Sequence, residues 1–296
     1  MADSLFKTYE AIGNREDLTD IIANISPTDT PMLSRFGKTK AKNTLHEWQC
    51  DALDAASTTG VVEGTDVETA ALTPTTRVGN FTQISRRMFR VTETQEAVDS
   101  AGRASEYAYQ AAKALKELVN DMEKTLHDGT GNSGASGTAR ELKGVRAAIT
   151  TNVVTAATGS DKAALTITKL NELLGKIWAK GGKPNAIYVN GPQKEAIGTF
   201  STPITRNIDA ASKRYTNVVN VFDSAYGPLD VVLDRYAAPT ELLALQEDQF
   251  KVAFLRPVST KSLPDNGGGP KGKAEAEYTL VYGNERASGK ITNLQD

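Results

Sequence analysis

DSAGRASEYAYQAAKALKELVNDMEKTLHD, residues Asp99 to Asp128, reads as one long amphipathic helix, and the rest of the chain is organised around it. Its apolar residues fall at Ala104, Ala108, Ala111, Leu115, Leu118, Met122 and Leu126, in alternating steps of four and three that keep them on one face. Asp99 or Ser100 supplies an N-cap, and Gly129 and Gly131 supply left-handed positions that end the helix. At about 1.5 Å per residue its length is roughly 40 Å. Arg103, Glu106, Gln110, Lys113, Glu117 and Lys124 wet the opposite side, so a helix of this length needs a partner surface along its apolar stripe. It is expected to act as a spine.

Composition bounds what surrounds it. The chain has 296 residues, 39% hydrophobic and 24% charged, which is enough apolar material for one large or two modest cores. Its 34 Lys and Arg against 36 Asp and Glu leave a formal charge of -2, so no bulk field gathers nucleic acid or an anionic membrane. A single cysteine, Cys50, excludes an intrachain disulfide and a multi-cysteine metal site and suits a reducing compartment. No apolar run approaches the roughly 20 residues of a membrane span, and the first residues, MADSLFKTYEAIGNRED, lack a signal-peptide core.

Before the spine, residues 1 to 42 hold short apolar groups broken by Gly13, Pro27 and Pro31 and read as a near-neutral arm. RFGKTKAK, Arg35 to Lys42, reads as a solvated basic turn. Thr44 to Cys50 alternates like a strand, and Gly79 to Thr94, GNFTQISRRMFRVTET, reads as its partner. The connection between them, Asp51 to Asn80, is rich in Thr, Ala and Gly and cannot build a core of its own. A polar two-stranded arm is marginal alone in water, so oligomerisation is the economical way to brace it.

After the spine, Leu165 to Pro184 reads as a second helix with Ile167, Leu170, Leu174 and Ile177 inward, Lys176 and Lys180 in its last turn, and Gly181, Gly182 and Pro184 ending it. AIYV, Ala186 to Val189, reads as a buried strand, and Asn190 and Pro192 open a short helix to Phe200. Asp230–Tyr236, Glu241–Gln246, Phe250–Arg256, Glu275–Gly283 and Ser288–Leu294 read as strands.

Chemistry is sparse. Gly129, Gly131 and Gly134 spell G-x-G-x-x-G, but these glycines end a helix, whereas a dinucleotide motif follows a strand and opens one. Gly267, Gly272 and Lys273 fit G-x-x-x-x-G-K, yet Ala274 stands where a Ser or Thr would hold magnesium. His46 and Cys50 make at most half a zinc set, and His127 sits on another element. The carboxylates of Glu47, Asp51, Glu63, Asp66 and Glu68 read as solvated or interface charges. No catalytic, cofactor-binding or metal residue is assigned, and the chain is not read as an enzyme.

The order of arm, strand, Val62-Glu63-Gly64-Thr65-Asp66, return strand FTQISRRMFRVTE and long helix resembles the extended loop and spine of tailed-bacteriophage (Caudoviricetes) major capsid proteins. So do Leu126-His127-Asp128-Gly129-Thr130-Gly131 with Leu142-Lys143-Gly144-Val145, Ala186 to Pro192, and Gln246 to Val252, in the same order along the chain. The resemblance implies an α+β Johnson fold. Its parts would be an N-terminal arm at 1–42, an extended loop hairpin at 43–95, a peripheral domain with the spine helix at 96–150, an axial domain at 151–235, and return strands of the peripheral domain at 236–296. It implies a homo-oligomer of hexamers and pentamers tiling an icosahedral shell around double-stranded DNA, held without sequence-specific contacts and with no membrane partner. It further implies a separate scaffolding protein, portal and decoration partners, assembly in the host cytoplasm and residence in the virion. An encapsulin-type nanocompartment is the alternative within the fold, and a nucleotide-binding enzyme the remote one outside it. The expected intersubunit interface comprises Gly60, Val61, Val62, Glu63, Gly64, Thr65 and Asp66 at the loop tip, with Arg86 and Arg87 on the return strand.

Overall fold

The computed structural model describes residues 29–51, 53, 56–66, 74–98, 104–159, 161–200 and 220–296. The apolar groups of the arm before residue 29, and the expected caps Asp99 and Ser100, lie outside the described residues. In chain order the first elements are α1 (Pro31–Arg35), β1 (Gly37–Lys40), β2 (Leu45–Cys50), β3 (Thr76–Phe81), β4 (Gln83–Arg90), α2 (Glu93–Ala97) and α3 (Glu106–Asp128). Next come β5 (Thr130–Asn132), β6 (Glu141–Lys143), α4 (Val145–Ala148), β7 (Val153–Thr155), α5 (Ile167–Ala179), β8 (Ala186–Val189) and α6 (Gly191–Gly198). The last are β9 (Val221–Ser224), β10 (Gly227–Leu233), β11 (Leu242–Leu245), β12 (Phe250–Leu263), β13 (Lys271–Tyr282) and β14 (Gly289–Thr292).

The spine is α3, and it starts later than the apolar spacing predicts. Ser105 is its N-cap, its hydroxyl accepting the Ala108 N–H at 3.1 Å, while the Glu96 carboxylate takes the Tyr107 N–H at 3.0 Å. With those first-turn amides satisfied at Ser105, Ala104 is left exposed outside the helix. The buried stripe is Ala114, Leu118, Met122 and Leu126, so only the C-terminal part of the expected seam faces the core. Gly129 caps the end at φ -50°, not in the left-handed region. It is required for space, because a Cβ there would lie 2.5 Å from the Leu142 carbonyl oxygen.

Among the described residues, one sheet runs β1-β12-β13-β4 and another β7-β14-β11-β8-β10-β9, with β2-β3 and β5-β6 as separate hairpins. Side-chain alternation along β13 sends Ala274, Ala276, Tyr278 and Leu280 into the core shared with the spine and turns Lys273, Glu275 and Glu277 to the opposite face. Strands β8 and β11 are buried on both faces. Tyr188, Leu243 and Leu245 join the spine's core, and Ile187, Val189, Leu242 and Ala244 join a second core under α5. The six-stranded sheet is thus the wall between the two cores.

Three expectations are corrected. RFGKTKAK is no solvated turn: β1 pairs in parallel with β12 from Gly37↔Lys251 to Lys40↔Phe254, and Met32 and Phe36 just before it are buried. The return strand is two strands broken at Thr82, whose N–H goes to the Thr44 carbonyl at 2.7 Å and whose hydroxyl goes to Glu277 at 3.0 Å. β3 therefore completes the hairpin with β2, while β4 joins the other sheet against β13. Lastly, Ile167 sits in the exposed first turn of α5, and Leu173 takes the inward place beside Leu170, Leu174 and Ile177.

Candidate functional site

The loop tip is built on a tight turn. The Thr65 N–H and hydroxyl both reach the Val62 carbonyl, at 3.2 and 2.8 Å, and Gly64 takes the left-handed φ of +84° that such a reversal needs. The turn leaves Val61 84% and Val62 77% exposed, with Glu63 and Asp66 also exposed around them. Leu53 on the same loop is 99% exposed. The described residues of this loop thus hold three large apolar side chains out in water.

The two arginines do not belong to this tip. Both lie on β4, on opposite faces of the four-stranded sheet. Arg87 points to the spine, where Nη2 reaches Asp121 at 2.6 Å, and that carboxylate holds the guanidinium's pKa above its ordinary value. Arg86 points to the outer face, where Nε donates to Glu275 at 2.6 Å.

That outer face carries a charge network that strand alternation alone did not reveal. Glu275 and Glu277 are almost fully buried on the side of the sheet away from the core. Arg256 bridges them, Nη1 to Glu275 and Nε to Glu277, each at 2.8 Å. Arg140 adds a bond to Glu277 at 2.8 Å and Lys273 one to Glu275 at 2.9 Å. Led by the Lys273 hydrogen bond and then Arg86, these cations hold the Glu275 carboxyl down at about 2. The sequence signal was the run Ala274-Glu275-Ala276-Glu277, which places two acids on one face of a strand.

The remaining chemical motifs dissolve into structure. Gly129, Gly131 and Gly134 cap the spine and turn the β5-β6 hairpin. Gly267 to Gly269 have φ between +89° and +116° and form the tip between β12 and β13, and Lys273 lies on a strand bound to Glu275. His46 shares a face of β2 with Trp48 and Cys50, and the Cys50 thiol donates to the Gly283 carbonyl at 2.8 Å. His127 is buried against Asp128, Nδ1 to Oδ1 at 2.9 Å, and that hydrogen bond, with Lys124 beside it, draws the Asp128 carboxyl down to about 2. Among the described residues no group of three or more His, Cys, Asp or Glu is arranged to hold a metal, and no helix is long and apolar enough to cross a membrane.

A spine helix crossing under a long-stranded sheet, a second sheet unit and a projecting polar hairpin define the α+β Johnson-type capsid fold. Solved structures share it along nearly their whole length: the capsid of Cyanophage A-1(L) at a TM-score of 0.73 and 15% identity, covering 98% of this chain and 99% of that one. Mycobacterium phage Bobi matches at a TM-score of 0.66 and 11% identity over 96% of both chains. The SrpI encapsulin of Synechococcus elongatus matches at 0.60 and 10% identity over 96% and 93%. In sequence, the major capsid protein of Escherichia phage Phieco32 is 36% identical over 127 residues, 43% of this chain, and the match spans 36% of that relative's length. The SU10 major capsid protein family matches residues 5–295, and the chain belongs to that family.

Proposed function

We propose that the chain is the building block of an icosahedral phage shell, assembling as hexamers and pentamers that enclose double-stranded DNA in the virion. The observation that carries this reading is the loop between β2 and β3: each of its described residues is exposed, Val61 and Val62 among them, on a subunit whose fold is that of capsid proteins. A neighbouring copy is the surface that would cover them, and Gly60 to Asp66 is the segment that would make the contact. Arg87, turned to the spine, would act by fixing β4, and Arg86 would face the neighbour. A scaffolding protein, a portal and decoration proteins are the partners this role implies. The DNA would be held without sequence reading, in keeping with the chain's formal charge of -2. No catalytic step is assigned to a chain of this structural family.

The division into arm, extended loop, peripheral and axial parts is part of the same proposal, with the residues from Pro31 onward built into the peripheral core and β11 and β14 assigned to the axial sheet. An encapsulin-type compartment is the second reading, supported by the fold shared with the Synechococcus elongatus encapsulin. Negative-stain electron microscopy of particles made in phage-infected cells, followed by nuclease treatment and extraction of protected contents, separates the two. Protected double-stranded DNA supports the phage shell; a single packaged enzyme supports the compartment; absence of particles overturns both.

A further inference from the structure

We propose that Asn266 and Gly267, at the apex of the β12-β13 hairpin, form a self-acting deamidation site at which the chain converts its own Asn266 to aspartate and isoaspartate. The change is covalent and internal to one chain, so it stands independently of the shell reading above.

The chain has two Asn-Gly steps, Asn190-Gly191 and Asn266-Gly267. In both, the second residue lacks the Cβ that would crowd an attack of its amide nitrogen on the asparagine side chain. Their surroundings differ. At Asn190 the side-chain oxygen accepts the Gly191 N–H at 2.6 Å and the side-chain nitrogen donates to the Ala237 carbonyl at 2.7 Å. Gly191 is the first residue of α6, and the Asn190 carbonyl takes the Lys194 N–H at 3.0 Å, so both reacting groups are held in place. Asn266 is exposed, and among the described residues its side chain makes no hydrogen bond. The Gly267 N–H makes one exposed bond, to Asp265 Oδ1 at 3.0 Å, of the kind that closes an Asx turn.

The hairpin confines freedom to this apex. β12 and β13 stay paired as far as Leu263↔Lys271, and the Val91 N–H donates to the Pro270 carbonyl at 3.0 Å. Gly269 is buried against that anchor, where a Cβ would lie 2.2 Å from the Val91 carbonyl oxygen. Around Gly267 there is open space: a Cβ built on it meets nothing within 4 Å. With Gly267 and Gly268 at φ of +89° and +98°, two adjoining residues without side chains let the backbone swing the Gly267 nitrogen onto Asn266 Cγ at little conformational cost.

The step needs only water. The Gly267 amide gives up its proton to hydroxide or a buffer base, its nitrogen bonds to Asn266 Cγ, and the side-chain nitrogen leaves as ammonia, closing a five-membered succinimide. Water then opens the ring at one carbonyl to give aspartate or at the other to give isoaspartate, so the net change is amide plus water to acid plus ammonia. Either product puts a second carboxylate beside Asp265, next to the Gly267 carbonyl that Arg90 Nη2 already binds, and isoaspartate also lengthens the backbone of the apex by one methylene.

The test incubates the freshly purified full chain in alkaline and in mildly acidic buffer made with heavy-oxygen water. Peptide mass spectrometry reads the amide-to-acid mass gain at each asparagine, and a protein isoaspartyl methyltransferase reads isoaspartate. Incorporation of heavy oxygen at residue 266, faster in the alkaline buffer and partly as isoaspartate, with Asn190 unchanged, is the expected result. G267A, which places a Cβ in open space, is expected to slow the conversion. An Asn266 that stays intact through the alkaline course, an Asn190 that converts as fast, or an undiminished rate in G267A overturns the proposal.

Discussion

Glu123, on the buried side of the spine, accepts the backbone N–H of Met32 at 2.7 Å across 91 residues of sequence, and its second oxygen takes the Leu33 N–H at 2.9 Å. Thr30 makes no side-chain cap for α1, so the carboxylate is the cap. Met32 is thereby fixed in the spine's core, and Phe36 stacks on Phe250 with ring centroids 5.3 Å apart. The segment that leads into β1 is thus pinned to the spine rather than draped over it.

Replacing Glu123 with alanine strands two amides in a dry setting. E123A is expected to lower stability by about 2 kcal/mol, the usual cost of leaving buried donors unpaired. Urea denaturation reads this as a lower midpoint with an unchanged slope.

The same residue sets a pH dependence. Burial pushes the Glu123 carboxyl up to about 7 from an ordinary 4.5, with the Asp234 carboxylate adding to the rise and the Leu33 and Met32 amides opposing it. The folded state therefore keeps a proton that the unfolded chain releases. Its contribution to stability is complete below about 4.5 and is lost as pH rises through about 7. Unfolding midpoints at pH 5, 6, 7 and 8 should fall less steeply in E123A than in the unmodified chain; identical slopes would remove this role. Glu275 and Asp128 act in the other direction, their stabilisation persisting until pH falls toward about 2.

Gly129 faces Gly144 where the spine turns into β5, the Gly144 N–H meeting the Gly129 carbonyl at 2.8 Å. An added Cβ at Gly129 meets two carbonyl oxygens and an amide nitrogen within about the contact limit, all of them backbone. G129A is expected to cost about 2 to 3 kcal/mol through backbone displacement. A melting scan checks it, with little loss expected from G137A, where a Cβ meets nothing, beyond the strain of its left-handed φ of +85°.

Deleting Ser57 to Thr73 should leave a folded subunit that fails to form stable shells. Circular dichroism should retain the melt of the intact chain while electron microscopy loses closed particles. Shells of normal form from the deletion variant would take away the role given to the loop.

How far the sequence was readable follows from the range of the forces involved. Local signals carried α5, with Leu170, Leu174 and Ile177 inward and left-handed Gly181 past its end, and β8, whose run of four apolar residues is buried throughout. The same signals misplaced the start of the spine, because Ala104 and Ala108 continue the spacing while the cap sits at Ser105. Long-range pairing was not readable. β1 is the four-residue strand Gly-Lys-Thr-Lys with no apolar residue, and it is a strand only because β12 lies beside it. Thr82 interrupts a continuous β-prone run through bonds to Thr44 and Glu277, partners that no window around residue 82 contains. The loop tip was legible as a surface that lacks a core, and Arg86 and Arg87 were legible as charged; which carboxylates they bind depends on the register of β4 with β13.

Sedimentation velocity of the unmodified protein across a wide concentration range, with negative-stain images of each fraction, tests the central claim most directly. Rings of five or six subunits, or closed shells, growing with concentration are the predicted result. A compact monomer at every concentration, with no rings in any fraction, would contradict it.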